Sequence, residues 1–150
     1  MKNSLFNTTF YGIALAFFLS SCESKTEPIN YGKDNCSFCK MTIMDAKYAT
    51  ELVTQKGKVY KFDDISCMAK YLKMAEPNNE SYAFKVVNNY EKPSEFMDVE
   101  VAVFAIGESF ISPMRGDAAA FANKQALENY QKTDTTAKVI TWENLTEKFD

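Results

Sequence analysis

The sequence contains no histidine, and this absence excludes several classes of function. Without imidazole there is no Ser/His/Asp or Cys/His catalytic unit, no histidine general base, and no histidine-ligated zinc or haem iron. Basic residues are not in excess either: 17 lysines and arginines stand against 20 acidic residues, so we expect no nucleic-acid partner. The chain does contain sulfur, with 4 cysteines and 7 methionines among its 150 residues. Of all residues, 46% are hydrophobic, which is enough for a globular core.

The N-terminal segment is typical of a bacterial lipoprotein signal. An apolar run at residues 10–19 is long enough for a signal peptide and too short to cross a bilayer. It ends in Leu19-Ser20-Ser21-Cys22, which resembles a lipobox. We therefore expect residues 1–21 to be removed and Cys22 to carry acyl chains such as palmitate. Residues 22–33 would form a lipidated, flexible tether on the extracytoplasmic side of a membrane, periplasmic or in the outer membrane.

The first half of the folded region predicts two strands, a helix and a third strand. Alternating residues on either side of Lys56-Gly57 predict a hairpin of Thr50–Gln55 and Lys58–Phe62. Asp63 or Asp64 would cap a helix with apolar residues at helical spacing, and Tyr82–Val87 would be the third strand.

The second half predicts the same order of elements. Strands at Val99–Ile106 and Ser109–Ile111 would precede a helix capped by Asp117, and Lys138–Trp142 would be the last strand. We therefore predict an α+β fold of two similar ββαβ modules, residues 34–90 and 91–150.

A Cys-x-x-Cys-x-Met element lies at the start of the first module. It reads Cys36-Ser37-Phe38-Cys39-Lys40-Met41, with Met44 close behind. Haem attachment requires a histidine after the second cysteine, so that interpretation is excluded. With Cys22 lipidated, three thiols remain, and either Cys36 and Cys39 pair while Cys67 stays free and buried, or some of the sulfurs bind metal. Zinc would need an aspartate to complete its ligands.

Thiolate and thioether ligands together favour Cu(I), a soft ion. Met41 is two residues from Cys39, and Met114 lies in a Ser-Pro-Met-Arg-Gly turn of the second half, where a methionine placed only for packing is unusual. Methionines are nevertheless common gap-filling core residues, so Met41 and Met114 could instead serve only to pack the core. A core role for Cys67 also stays open.

Several strings of the sequence resemble the NosL family of copper-chaperone lipoproteins, accessory proteins of nitrous oxide reductase maturation. They are the lipobox, Cys36–Ile43, Gly57–Met68, Ser112–Met114 with Ala119–Phe121, and Val139–Glu143. The resemblance implies two ββαβ modules and a membrane-anchored protein that is not an enzyme. It also implies Cu(I) binding and copper delivery to the reductase, or to a related copper enzyme, through an ABC-type maturation complex.

The resemblance also implies a ligand set. Cys39 and Met41 match the family's first element and Met114 its second methionine, and we expect a cleft between the modules with Cys36 or Asp34 completing the shell. Lys40 replaces the glycine of many relatives, which removes backbone freedom and adds a cation. Two other interpretations remain: a thiol-disulfide oxidoreductase using Cys36 and Cys39, and a structural lipoprotein with a local disulfide.

Overall fold

The computed structural model describes residues 24–149, which form an α+β fold with two antiparallel sheets. The predicted signal peptide and Cys22 lie outside the described residues. The strands are β1 (Thr50–Thr54), β2 (Val59–Phe62), β3 (Tyr82–Asn88), β4 (Phe96–Asp98), β5 (Val103–Ile106), β6 (Ala118–Phe121) and β7 (Lys138–Ile140). The helices are α1 (Ile65–Ala75), α2 (Lys124–Gln131) and α3 (Trp142–Lys148), with a 3₁₀ turn at Glu76–Asn78.

The first sheet has the strand order β2-β1-β3-β4. The β1–β2 hairpin predicted from alternation is confirmed, and Gly57 supplies the positive φ that its turn requires. Strand β1 is central and buried along its whole length. The helix that follows β2 begins with Asp64 as its N-cap and buries Ile65, Met68 and Ala69, as its apolar spacing predicted.

The second sheet repeats the topology of the first. Its order is β6-β5-β7, so its first strand is again central, as in β2-β1-β3, and a helix again joins the second strand to the third. The prediction of two ββαβ modules is therefore confirmed. This module has its own aromatic core, in which rings from Tyr48 and Tyr90 of the first half pack against Phe110, Phe121 and Tyr130.

Strand β7 lies within the predicted strand Lys138–Trp142, but the other element boundaries predicted for the second module are wrong. Val99–Val101 form a turn, no strand forms at Ser109–Ile111, and residues 118–121, predicted as helix, form the fully buried strand β6. Asp117 is not a helix cap; the helix begins at Lys124 behind Asn123, whose side chain accepts the Ala126 N–H. Alanine favours helices in isolation, but here pairing with β5 and burial decide the conformation.

The boundary between the modules at residue 90 is crossed by β4. This strand, from the second half, pairs with β3 and extends the first sheet. The backbone N–H of Tyr90 in turn donates to the carbonyl of Ala120 in β6, at 2.8 Å. The two modules are therefore joined by exchanged segments as well as by packing.

Residues 24–33, which we name the N-terminal strap, lie along the first sheet, although the sequence predicted a flexible tether. The Ser24 hydroxyl donates to the carbonyls of Thr54 and Gln55, and Ile29 is buried in the core. The Glu27 N–H donates to the carboxylate of Glu51, which is fully buried in β1. The predicted boundary of the fold at Asp34 is therefore too late, because a buried apolar residue and hydrogen bonds hold this polar segment to the sheet.

None of the helices within residues 24–149 is both long and apolar enough to cross a membrane.

Candidate metal centre

The Cys36–Met41 segment folds into a tight loop, which we name the knuckle (residues 35–42). An isolated β-bridge joins Asn35 to Thr42, the Cys36 N–H donates to the Met41 carbonyl at 2.7 Å, and the Lys40 N–H donates to the Cys36 carbonyl at 3.1 Å. Within the loop, the Cys39 N–H contributes to the lowered pKa of Cys36, after the larger effect of the Cys67 thiol, and the Met41 N–H opposes the rise in the pKa of Cys39 that burial causes. The loop therefore offers hydrogen bonds that stabilise thiolates.

Lys40 adopts the left-handed conformation, with φ of 68°, which only a glycine adopts without strain. A lysine at this position therefore adds strain to the knuckle. Its ammonium group donates to the Ser37 carbonyl at 2.6 Å, so the cation is tied to the knuckle itself.

The start of α1 supplies the other side of the site. Asp64 accepts the Ser66 N–H at 2.8 Å as the helix cap, and this leaves the preceding Asp63 free for other partners. Cys67 follows in the first helical turn and is buried. After the larger effect of the Cys67 thiol, the backbone N–H of Asp63 also contributes to the lowered pKa of Cys36, so this junction acts on the knuckle.

Three thiols and one carboxylate converge where the knuckle meets α1. The ligand atoms of Cys36, Cys39, Asp63 and Cys67 all lie within 4.8 Å of one another. The Cys39 sulfur is 3.5 and 3.6 Å from the two carboxylate oxygens of Asp63. Three members are buried and Cys39 is half-buried, so the cluster meets solvent on the Cys39 side. We name this set the thiol cluster.

The three thiols have different proton affinities. Hydrogen bonds from the Cys67 thiol and from backbone N–H groups lower the pKa of Cys36 to about 6, against the opposing effect of burial. Donating to the Cys36 sulfur raises the pKa of Cys67, and burial raises the pKa of Cys39 to about 11. The Cys67 thiol thus favours the thiolate form of Cys36, and a soft cation would compete with the protons of the three thiols.

The sequence-predicted residues divide into two groups. Cys36, Cys39 and Cys67 lie together in the thiol cluster. Asp34 lies apart, since its carboxylate pairs with the Lys61 ammonium at 2.8 Å and accepts the Asn30 N–H. The side chains of Met41 and Met44 are 55% and 70% exposed.

Met114 is held close to the start of α1 through its backbone. Its N–H donates to Asp64 Oδ2 at 2.9 Å, and its half-buried side chain packs against the core that contains Cys36 and Cys67. The turn is strained, with positive φ at Arg115 and Asp117. At Gly116 a Cβ would lie 2.7 Å from Asp64 Oδ1, so the turn sits tightly against the helix cap.

Asp63 is the cluster residue that the sequence analysis missed. It is 1% exposed, and the sequence offered a signal in its pairing with Asp64 between a strand and a helix. Only one of two adjacent aspartates can be the N-cap, so the other is available for a different function.

Comparisons with known proteins agree with the fold. A family model described as NosL matches residues 29–149. The crystal structure of the copper chaperone NosL from Shewanella denitrificans is similar, with a TM-score of 0.61, 19% identity, and coverage of 81% of this chain and 95% of that chain. None of the curated proteins matches significantly. At this identity, the likeness to the crystal structure shows a shared fold.

Proposed function

The chain belongs to the NosL family, whose model spans residues 29–149, and from this premise we propose that it is a copper(I) chaperone. The observation that carries the proposal is the convergence of three thiols, whose sulfurs lie within 4.8 Å of one another where the knuckle meets α1. Thiolates select soft ions such as Cu(I), which oxygen-rich sites retain poorly. The related protein of known structure is described as a copper chaperone, which supports the same cargo.

Copper release would use the half-exposed Cys39. Cys36 and Cys67 are buried, so a partner's ligand reaches the copper first from the side of Cys39. The exposed thioether of Met41 is next but one to Cys39 in sequence, and thioethers bind copper without losing a proton. We propose that Met41 takes part in entry or handover and that Met114 closes the site from the second module.

The recipient and the anchor extend this proposal. We assign delivery to nitrous oxide reductase or a related copper enzyme, through an ABC-type maturation complex, on the basis of the family resemblance. Lipidation at Cys22 would hold the protein on the extracytoplasmic side of a membrane. Replacing Cys22 by alanine should move the protein from the membrane fraction to the soluble fraction. The recipient is tested by incubating Cu(I)-loaded protein with copper-free reductase and measuring copper in the reductase.

The central test is Cu(I) binding by the reduced, tag-free mature protein in competition with bicinchoninate. We expect wild type to withdraw copper from the chelator and Cys39→Ala to lose this ability. Met114→Ala should weaken binding, whereas the control Met74→Ala, at an exposed methionine near the end of α1, should not. A wild-type protein that leaves the chelator's colour unchanged contradicts the proposal. An unchanged Met114→Ala refutes only closure by the second module.

The thiol arrangement is unfavourable for the alternative, a thiol-disulfide oxidoreductase. Such an enzyme needs an accessible thiolate. Here the thiol of lowered pKa, Cys36, is buried, while the more accessible Cys39 has its pKa raised to about 11 by burial. We expect no reduction of insulin disulfides beyond that of a Cys36→Ala variant.

A further inference from the structure

A groove runs from α1 past α3 to β5. Its first part is a cavity of about 500 Å³ between α1, β3 and α3, and its second part is a cavity of about 520 Å³ between β5 and the start of α3. Lys85 and Trp142 line both cavities, so the two meet at these side chains. We name the pair of cavities the Trp142 groove. It contains no residue of the thiol cluster, and it extends to Glu76, at the end of α1 opposite Cys67.

An aromatic side chain lies at the centre of this groove. Trp142 is half-buried and packs against Phe104, with the ring centroids 5.3 Å apart. Half-buried Leu72 and Tyr82 line the first cavity beside it. Tryptophan and tyrosine are the residue types that most often anchor protein interfaces, because they bury a large apolar area with little loss of side-chain freedom. The centre of the groove therefore offers an anchor for a partner side chain.

The lining of the groove is acidic. Its acidic residues are Glu76, Glu80, Glu100, Glu143 and Glu147. Its basic residues are Lys73 and Lys85. The whole chain has 20 acidic residues and 17 basic ones, so the acidic excess of the groove equals that of the entire chain, and elsewhere the charges balance. The field of the protein therefore attracts a cationic partner to this groove in particular.

The carboxylates are spread along the groove and are not gathered at one point. Within residues 24–149, the thiol cluster is the one set of three or more acidic or cysteine side chains close enough to hold a single ion. Glu100, Glu143 and Glu147 form no ion pair with another described residue. Glu143 and Glu147 are four residues apart on α3, a spacing at which like charges repel. The lining thus fits several positive charges on one extended partner better than it fits a metal ion.

We propose that the Trp142 groove binds a basic, arginine-containing segment of a partner protein. A guanidinium group is planar, so it stacks on an indole ring while its N–H groups pair with neighbouring carboxylates. Glu143 and Glu147 would pair with basic side chains next to the one on Trp142. Because the groove shares no residue with the thiol cluster, this docking leaves the proposed copper site open, and the inference does not depend on the proposed function.

The experiment uses Trp142 as its reporter, since this is the single tryptophan of the chain. The probe is acetylated, amidated hexa-arginine, titrated into the tag-free mature protein at low ionic strength, with hexalysine and hexaglutamate as comparisons. The test variant combines Glu143→Gln and Glu147→Gln. Its matched control combines Glu91→Gln and Glu108→Gln, which removes the same charge at exposed positions outside the groove.

A second variant, Trp142→Leu, tests the anchor. Its binding is followed by the fluorescence anisotropy of dye-labelled hexa-arginine and hexalysine, because the reporter is lost. Circular dichroism checks the folding of every variant. The glutamate variants change exposed side chains and keep their shape, so they test the inference even if Trp142→Leu does not fold.

We expect hexa-arginine to change the Trp142 fluorescence saturably and to bind more tightly than hexalysine, and hexaglutamate not to bind. The groove variant should lose about 10-fold in affinity and its control less than about 2-fold, as expected for exposed ion pairs. Binding should weaken at an ionic strength of about 0.15 M, where the Debye length is about 8 Å. Trp142→Leu should lose the preference for arginine over lysine.

Four results would overturn the inference. The first is the absence of a saturable change with hexa-arginine, and the second is an equal loss in the groove variant and its control, which would mean attraction to net charge alone. The third is an unchanged arginine preference in folded Trp142→Leu. The fourth is dimerisation of wild type that the groove variant abolishes, measured by sedimentation, because it would assign the groove to a second copy of this chain.

Discussion

In the first module β2 is followed by Asp63 and the cap Asp64, whereas in the second module β6 is followed by Ala122 and the cap Asn123. Both caps accept a backbone N–H from the first turn of their helix. Cys67, the third residue of α1, has Ala126 as its counterpart in α2. The local architecture is thus the same in the two modules, and within residues 24–149 only the first carries a thiol and a second carboxylate at this junction.

The centres of the two sheets differ in the same way. Register with the neighbouring strand places Glu51 of β1 and Phe104 of β5 at equivalent positions. Phe104 packs against Trp142, while Glu51 holds the N-terminal strap. The comparison shows that the ββαβ unit forms with Phe104 in place of Glu51 and with Ala126 in place of Cys67, so neither polar feature is required by this topology.

The largest expected effect is a loss of Cu(I) affinity when the strand–helix junction of the first module is given the residue found in the second. Cys67→Ala should lower Cu(I) affinity by more than about 100-fold, because it removes a thiolate from the cluster, while the fold persists as it does around Ala126. Bicinchoninate competition measures the affinity. The reciprocal variant Ala126→Cys should bind no additional copper, since the described second module has no knuckle beside it. Tight binding by Cys67→Ala would mean that the third thiol is only a core residue.

Contact between the modules is tested at Gly116. A Cβ there meets Asp64 Oδ1 at 2.7 Å and Ser66 Cβ at 2.9 Å, so Gly116→Ala should destabilise the protein by about 1–3 kcal/mol and displace the Met114 turn. Urea unfolding measures the loss. Gly107→Ala, whose Cβ would lie 3.2 Å from the Ala137 Cα within the second module, should cost less. If the two variants are equally stable, the turn is not held as tightly as the distances indicate.

The difference between Glu51 and Phe104 predicts a pH dependence. Burial raises the pKa of Glu51 to about 7, against opposing contributions from the Glu27 N–H and Lys61. Because the folded state holds this proton more tightly than the unfolded state, stability should fall as pH rises from about 4.5 to 7, by on the order of 2 kcal/mol. Glu51→Gln should flatten this slope in urea unfolding measured across that range. Equal slopes in both proteins would contradict the prediction.

The smallest expected effect is a change in stability caused by variants of Lys40 in the knuckle. The second module, as far as the structure describes it, has no such loop. Lys40→Gly relieves a left-handed conformation that costs about 1–2 kcal/mol and loses the hydrogen bond to Ser37, so we expect the free energy of unfolding to rise by ~0.5–1 kcal/mol in urea unfolding. Lys40→Ala loses the same hydrogen bond without glycine's freedom and should be less stable than wild type. A Lys40→Gly protein no more stable than Lys40→Ala would refute the strain argument.

Local patterns in the sequence predicted the elements that depend on local physics. The β1–β2 hairpin follows from alternation around Gly57, and α1 follows from its cap and its apolar spacing. The Ala118–Phe121 segment was mistaken for a helix because its partner, β5, is distant along the chain and intrinsic propensity favoured the wrong state.

The site was predicted in part for the same reason. The Cys-x-x-Cys spacing is a local signal for the knuckle, and the structure places the two cysteines of this motif, Cys36 and Cys39, in the thiol cluster. Asp63 and Cys67 join them only through tertiary packing of the α1 start, which no spacing in the sequence encodes. Asp34, chosen for its nearness in sequence, is instead engaged by Lys61 across the sheet edge.

The N-terminal strap would limit how far the folded domain can lie from a bilayer and how it is oriented there. Only Glu23 separates the proposed lipid-bearing residue from Ser24, which is fastened to the end of β1. Each residue spans at most about 3.6 Å, so the linker between the lipid and the folded domain would be very short. The folded domain would therefore lie against the lipid headgroups, with the Lys56–Lys58 hairpin tip beside them. A copper acceptor would then have to come to this fixed orientation at the membrane surface.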